Sequence, residues 1–132
     1  KEEYKQMEGD PQLKSKIKQK QREISQRRMM QSVGEATVVI TNPTHLAIAI
    51  KYTEGQMEAP KVVAKGADNI AIKIKEKAME FKVPIIENKP LARLIYETVD
   101  IDKDIPQDMY QAVAEVLAMV YKLDKKKKGT RK

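Results

Sequence analysis

Four residues, Asn42-Pro43-Thr44-His45, separate two apolar runs of the sequence that have the composition of β-strands. The first run, residues 36–41, is apolar on both faces at Val38-Val39-Ile40, which is typical of a central strand. The second run, residues 46–52, alternates large and small apolar side chains with the period of a strand. The sequence therefore predicts two neighbouring strands joined by a tight turn.

The rest of the sequence predicts helices that alternate with short strands, after a long polar helix. This first helix spans Leu13 to Met30, a stretch without Gly or Pro whose apolar stripe is thin (Leu13, Ile17 and Ile24). The later elements are a strand from Lys61 to Ala64 that Gly66 stops, a helix from Ala67 to Phe81, a strand from Val83 to Glu87, a helix from the Asn88 cap to Thr98, and a helix from Pro106 to Leu123.

This order of elements predicts an α/β fold: a small central four-stranded sheet flanked by helices and preceded by a long polar N-terminal linker helix. The 132 residues suffice for one domain with a modest core. Two helices are expected to bury one apolar face each. These faces are Ile70, Ile74, Ala78 and Phe81 in the first, and Met109, Val113, Val116, Leu117 and Val120 in the second.

The two ends of the chain, rather than its middle, carry the net charge of +7. Residues 1–33 have nine Lys or Arg against five Asp or Glu, and residues 122–132 have seven against one. Residues 34–121 have ten against thirteen, so the predicted domain is mildly acidic. A nucleic-acid-binding domain would be basic on its folded face, and we predict no nucleic-acid partner. The basic start suits a segment beside an anionic membrane, and residues 124–132 are predicted to be a disordered tail.

The sequence also argues against several kinds of site. It has no cysteine and one histidine, which excludes disulfides, thiolate catalysis and most transition-metal centres. It has no phosphate-binding glycine motif, so we predict neither a cofactor nor a metal. It has no apolar run as long as a membrane helix and no signal peptide. The chain begins with Lys1 rather than Met, and we expect it to be a piece of a longer protein.

The Asn42-Pro43 bond favours an uncommon reaction. Ordinary Asn degradation begins when the backbone nitrogen of the next residue attacks the Asn side chain, but proline has no N–H. The reverse attack remains, in which the Asn42 side-chain nitrogen attacks its own main-chain carbonyl, closes a succinimide and expels the nitrogen of Pro43. Placement at attack distance can supply roughly 7–11 kcal/mol of such a barrier. Strain in the turn adds only about 1–3 kcal/mol, so positioning by the strands would be the larger effect.

The candidate catalytic residues are Asn42, Pro43, Thr44 and His45, and each also has a purely structural interpretation. Asn-Pro begins many turns that never break, and Thr44 could be a turn residue whose hydroxyl bonds the local backbone. His45 is the only histidine of the chain, and imidazole exchanges protons near neutral pH. His45 could act as a base, donate to the developing oxyanion, or only brace the turn.

Several segments together resemble the FlhB/YscU family, the export-gate switch proteins of flagellar and virulence type III secretion systems. These segments are Val38-Val39-Ile40-Thr41 followed by Asn42-Pro43-Thr44-His45, Glu8-Gly9-Asp10-Pro11 followed by Lys14-Ser15-Lys16-Ile17, Ala59-Pro60-Lys61-Val62-Val63-Ala64-Lys65-Gly66, and Glu87-Asn88-Lys89-Pro90-Leu91-Ala92-Arg93-Leu94-Ile95-Tyr96. The resemblance runs from about Glu3 to Lys122 and favours the flagellar branch.

The resemblance implies a domain organisation and a location. Residues 1–33 would be a membrane-proximal linker helix, and residues 34–123 a self-cleaving cytoplasmic domain. Cleavage would produce 1–42 and 43–132, which would remain associated. Transmembrane helices would lie upstream, and the domain would sit at the cytoplasmic face of the bacterial inner membrane.

The resemblance also implies an activity and partners. The cleaved domain would switch export from rod- and hook-type to filament-type substrates. Its partners would be other membrane and cytoplasmic components of the export gate, export substrates and a hook-length sensor protein. Because the only substrate of the cleavage is the chain itself, we predict that the protein is not a turnover enzyme.

Two alternatives remain open from the sequence. One is a virulence type III secretion homologue with the same switch. The other is a membrane-proximal adaptor or RNA-binding module whose Asn-Pro turn is only structural. Spontaneous cleavage between Asn42 and Pro43 distinguishes the second alternative from both switch proteins.

Overall fold

The computed structural model describes residues 9–43 and 45–130, which form a four-stranded mixed sheet with helices on both faces. The elements are α1 (Pro11–Val33), β1 (Val38–Asn42), β2 (Leu46–Lys51), β3 (Lys61–Ala67), α2 (Asn69–Glu80), β4 (Ile85–Glu87), α3 (Lys89–Thr98) and α4 (Tyr110–Thr130), with a 3₁₀ turn at Gln107–Met109. The predicted α/β fold is confirmed, including the long polar helix that precedes the sheet. Within the described ranges, no helix is both long enough and apolar enough to cross a bilayer.

The sheet has the strand order β3-β2-β1-β4, so β1 lies between two neighbours, as its apolar composition predicts. β1 pairs antiparallel with β2 and parallel with β4, and β2 pairs antiparallel with β3. In the β1–β2 pair, Asn42 lies opposite Leu46. The Asn-Pro turn therefore connects two strands that are paired on both sides.

Side chains of the central strands alternate between two apolar layers. Val38 and Ile40 pack with α3 and α4, whereas Val39 packs with α2 and the end of α1. The predicted apolar stripe of the last helix is confirmed, because all five of its members are buried in the first layer: Met109, Val113, Val116, Leu117 and Val120. Both faces of the sheet are thus covered, which fixes the register of β1 against a one-residue slip.

Helix α1 contributes to the core only through its last turn. Its side chains Met29 and Val33 are buried against the sheet layer that contains Val39. Of the predicted stripe, Ile17 and Ile24 are exposed, because most of the helix extends past the sheet. Asp10 caps its start by accepting a hydrogen bond from the backbone N–H of Gln12.

Two predictions differ from the structure, one about the end of β3 and one about the apolar face of α2. Gly66 was expected to stop the third strand, but β3 continues to Ala67 and Gly66 pairs with Ala47. A Cβ atom at Gly66 would lie 2.2 Å from Cγ2 of Ile70, so this glycine allows the strand and α2 to approach closely. Phe81, expected in the apolar face of α2, is 52% exposed and lies over Gly34 at the end of α1.

The last helix extends further than the sequence indicated. The prediction ended it at Leu123 and placed a disordered tail at residues 124–132, whereas α4 continues to Thr130. Lysine is a good helix former, and the chain has no Gly or Pro between Pro106 and Gly129, so helix propagation is not interrupted. The remaining residues of the predicted tail, 131–132, lie outside the described part of the chain.

Candidate functional site

The Asn-Pro turn is closed by a backbone hydrogen bond that bears directly on the proposed chemistry. The backbone N–H of His45 donates to the carbonyl oxygen of Asn42 at an N–O distance of 2.9 Å, which closes a β-turn. This carbonyl is the one that the Asn42 side chain would attack. Thr44, the other predicted site residue of the turn, lies outside the described residues.

The position of this donor suits an oxyanion. Attack on the Asn42 carbonyl would place negative charge on its oxygen, and a preorganised donor at about 2.7–3.1 Å stabilises such a charge. The distance of 2.9 Å between the His45 nitrogen and the Asn42 carbonyl oxygen falls in this range. The sequence analysis considered the His45 side chain as such a donor, but the structure supplies the backbone N–H of the same residue.

The chain on the Asn42 side of the bond is held by both neighbouring strands. Thr41 is 3% exposed and pairs with Ala47 in β2 and with Glu87 in β4. Its carbonyl also accepts the backbone N–H of Asn88 at 2.9 Å. Residue 41 therefore cannot shift without breaking pairing on two sides, and this fixes the backbone that enters Asn42.

Asn42 itself is half-buried and lines an open groove of about 560 Å³ beside α3. The other residues that line this groove come from α3: Lys89, Pro90, Arg93, Leu94 and Glu97. A side chain at the edge of a groove is not enclosed by core packing, in contrast to Ile40 two residues earlier. The Asn42 carboxamide therefore has space to reach the rotamer that attacks its own carbonyl.

The His45 side chain lies at the surface. It is 68% exposed, and its Nδ1 atom is 3.9 Å from Oδ1 of Asp68, which is itself 79% exposed. The backbone N–H of Asp68 donates to the carbonyl oxygen of His45 at 2.9 Å. Asp68 thus contacts both the ring and the backbone of His45, a geometry that suits bracing of the turn. The choice between base and brace stays a prediction, developed in the Discussion.

A lysine from α2 contacts the other side of the bond. Nζ of Lys75 donates to the carbonyl oxygen of Pro43 at 2.7 Å, and the Lys75 side chain is half-buried. Sequence reasoning missed this residue because it lies 32 positions after Pro43 and is one of several lysines on the same helix. It also missed the backbone contacts of Asp68 and Asn88, although Asn88 was predicted, and is confirmed, as the cap of α3.

Metal-ligating side chains do not converge here. Among residues 9–43 and 45–130, no three His, Cys, Asp or Glu side chains come together in a way that could hold a metal ion. The functional groups described at the turn are a carboxamide, backbone amides, a lysine and an exposed imidazole.

These features define a class: a small α/β domain with an Asn-Pro turn between the two central strands of its sheet. A family model described as the FlhB HrpN YscU SpaS family matches residues 1–120, and the chain belongs to this family. Its relatives include the flagellar biosynthetic protein FlhB of Bacillus subtilis, with 56% identity over 96% of the chain, and that of Salmonella typhimurium, with 52% identity over 92%. The predicted resemblance to the family and to its flagellar branch is confirmed.

Solved structures similar to the chain include a cytoplasmic domain of FlhB and C-terminal domains of EscU. The cytoplasmic domain of FlhB from Shewanella putrefaciens matches with a TM-score of 0.75 and 46% identity, over 79% of this chain and 80% of that one. An EscU C-terminal domain with an Asn-to-Asp mutation matches with a TM-score of 0.67 and 30% identity, over 70% and 98%. The chain spans about a third of the length of the two curated flagellar relatives, 35% and 32%.

Proposed function

We propose that this chain is the cytoplasmic domain of a component of a flagellar type III protein export apparatus, and that it cleaves itself between Asn42 and Pro43. The observation that carries the proposal is the hydrogen bond from the backbone N–H of His45 to the Asn42 carbonyl, in a turn between paired strands. This hydrogen bond directs the His45 N–H at the Asn42 carbonyl oxygen, where negative charge would develop. Family membership and the flagellar relatives support the export role.

The proposed reaction is an intramolecular transfer that consumes no water. Nδ2 of Asn42 forms a bond to the main-chain carbonyl carbon of the same residue, and that carbon loses its bond to the Pro43 nitrogen. Nδ2 gives up one proton, and the Pro43 nitrogen gains one. The products are a succinimide at the end of residues 1–42 and a free secondary amine at the start of residues 43–132.

Each described residue has a separate task in this reaction. The pairing of β1 with β2 and β4 holds the backbone that enters Asn42, which supplies the positioning on which such a reaction depends. The His45 N–H stabilises the oxyanion. Pro43 lacks an N–H, which prevents the competing attack on the Asn42 side chain. The chain reacts once, so the activity is a single turnover and not enzyme catalysis of other molecules.

Solved structures of a relative support the focus on this dipeptide. EscU C-terminal domains have been solved with an asparagine changed to aspartate or alanine, and with the following proline changed to alanine. These are consecutive residues of the same types as Asn42 and Pro43, in domains of 30–31% identity to this chain.

The cleavage would serve a switch of export specificity from rod- and hook-type to filament-type substrates. Cutting the turn frees two chain ends at the surface without removing any strand from the sheet. Export substrates, a hook-length sensor and other components of the export gate would bind the altered surface. We place the domain at the cytoplasmic face of the bacterial inner membrane, where residues 1–33 would connect it to membrane helices.

The test is the intact mass of the chain under denaturing conditions, followed over time. We expect two fragments that meet between Asn42 and Pro43 and whose masses sum to the parent without added water. Later opening of the succinimide would add one water to the first fragment. A single uncut mass after long incubation would contradict the proposal and would make the Asn-Pro turn purely structural.

Two substitutions and a control assign the mechanism. Asn42→Ala should abolish cleavage and leave the fold intact, because it removes only the nucleophile. Pro43→Ala restores an N–H and should abolish or divert cleavage. Gln19→Ala, at an exposed carboxamide on α1 away from the turn, should cleave like the unaltered chain. Cleavage of Asn42→Ala at the same bond would refute the asparagine mechanism, and unchanged cleavage of Pro43→Ala would refute the argument from proline.

A further inference from the structure

We propose that Lys75 is a positioning residue for the cleavage, which holds the leaving side of the Asn42–Pro43 bond in place. This inference rests on the proposed self-cleavage. Its basis is the hydrogen bond of 2.7 Å from Nζ of Lys75 to the carbonyl oxygen of Pro43. Among the described residues, Lys75 makes no hydrogen bond to Asn42, so it would act through the orientation of Pro43.

The Pro43 carbonyl is the only backbone group through which the fold can hold this residue by a hydrogen bond. Proline has no N–H, so it offers one acceptor and no donor. Lys75 occupies that acceptor with a charged donor, which makes a shorter and stronger hydrogen bond than a neutral one. The carbonyl carbon is two covalent bonds from the leaving nitrogen, so fixing the carbonyl restricts rotation of the whole residue.

Helix α2, which carries this lysine, is packed against the sheet. Its face toward the sheet buries Ala71, Ile74 and Ala78 in the apolar layer that also contains Val39 of β1. Position 68, at the start of the same helix, donates its backbone N–H to the His45 carbonyl at 2.9 Å. One helix therefore holds both described residues on the leaving side of the bond, Pro43 and His45.

The two sides of the bond are thus held by different parts of the fold. The Asn42 side is fixed through the pairing of Thr41 and its contact with Asn88, and the Pro43 side through Lys75 and α2. Attack requires the Asn42 side chain to meet its carbonyl at a defined angle to the scissile peptide plane, which includes the Pro43 nitrogen. Without Lys75, the His45 hydrogen bond could still form, but Pro43 would lose its restraint and the turn would open more often.

The substitution that tests this role is Lys75→Met, which keeps an unbranched side chain and removes the charge and the donor. A misplacement of about 1 Å can cost roughly 10²-fold in rate, and the other turn contacts remain, so we expect cleavage to slow by about 10- to 100-fold. Lys75→Arg retains a charged donor and should restore most of the rate. Lys73→Met is the matched control, because Lys73 is exposed on the same helix, and it should cleave like the unaltered chain.

Rates are measured by pulse-chase in cell-free translation of the full chain, quenched in denaturant and read by intact mass. Melting temperatures of uncleavable Asn42→Ala versions of each variant test whether slowing reflects a loosened fold. Slow cleavage of Lys75→Met with an unchanged melting temperature, together with recovery in Lys75→Arg, supports positioning. Equal rates in Lys75→Met and the unaltered chain overturn it and leave the self-cleavage standing, and so does failure of Lys75→Arg to recover any rate.

Hydrogen exchange gives a readout that does not depend on cleavage. In the Asn42→Ala background, adding Lys75→Met should increase exchange of the His45 amide by at least about tenfold, because Pro43 is no longer held and the turn opens more often. Unchanged exchange of that amide overturns the proposed restraint. An unaltered chain that never cleaves overturns the proposed function instead, whatever the exchange result for Lys75.

Discussion

Removing the backbone N–H of His45 should slow cleavage more than removing the His45 side chain. The comparison uses His45→Ala and the same chain with lactic acid, the hydroxy-acid analogue of alanine, at position 45. The two differ only in an N–H that becomes an ester oxygen. Because that N–H lies 2.9 Å from the Asn42 carbonyl oxygen, the ester removes the proposed oxyanion donor while the side chain at position 45 stays the same.

The magnitude follows from the geometry and exposure of the turn. Removing one donor from a buried oxyanion site costs about 10²–10³ in rate. Asn42 is only half-buried and His45 is exposed, so water can replace part of the lost donor. We therefore expect the ester to cleave about 10- to 100-fold more slowly than His45→Ala, or about 1.4–2.7 kcal/mol in the barrier.

The side chain itself should matter less. The His45 ring is 68% exposed and its described polar contact is Asp68 at 3.9 Å, a geometry whose surface ion pairs typically contribute about 0–1 kcal/mol. If the ring only braces the turn, His45→Ala should slow cleavage by at most about tenfold. A general base would cost about 10²–10⁴.

The assay is cell-free translation with suppression of a stop codon at position 45, followed by intact mass over time. Hydrolysis of the ester would cut between residues 44 and 45, and its fragments differ in mass from those of a cut at Asn42–Pro43. Equal rates for the ester and His45→Ala would refute the oxyanion role of the N–H. A loss above 100-fold in His45→Ala would refute bracing and make the ring a proton carrier.

Two further predictions concern the fold around the site. After cleavage, residues 1–42 and 43–132 should co-elute in native buffer and separate in denaturant. The reason is that Val38, Val39 and Ile40 are fully buried, and burial of each side chain contributes about 1.5–3 kcal/mol to the association. Separation of the fragments in native buffer would contradict this prediction. Gly66→Ala should destabilise the domain by about 1–3 kcal/mol, measured as a lower Tm, since its Cβ would lie 2.2 Å from Ile70. The control Gly9→Ala should leave the Tm unchanged, because nothing lies within 4 Å of its Cβ position. Equal Tm values for the two variants would show that Ile70 moves away at no cost.

Local patterns in the sequence were enough to predict the parts of the fold that depend on neighbouring residues. The apolar run Val38-Val39-Ile40 indicated a central strand, and the Asn88 cap and the stripe of α4 were predicted from residues within a few positions of each other. The burial of Met29 and Val33 in the last turn of α1 was not predicted, because it depends on where the sheet lies and not on the periodicity of the helix.

The candidate site likewise has features that depend on adjacent residues, which the sequence predicted, and features that depend on residues distant in the sequence, which it did not. The dipeptide Asn42-Pro43 and its turn could be predicted from the sequence, since the proposed chemistry depends on adjacent residues. The restraints on that turn could not, because the lysine that holds Pro43 lies 32 residues away and has no distinguishing motif. The His45 donor was missed for a different reason: a backbone N–H is present at nearly every residue, so only the turn geometry identifies it.

This arrangement would allow the domain to break its chain in the turn between the two central strands, as we propose, and to remain folded. A hairpin turn normally keeps two strands in register through its covalent connection, but here Thr41 is paired on both sides and position 45 is held by α2. The contacts that we propose to position Asn42 and Pro43 for the reaction are the same ones that would hold the two ends afterwards. Substitutions in α2 that weaken these contacts should therefore slow the cut and loosen the cleaved turn together, and a variant that changed only one of the two would separate these roles.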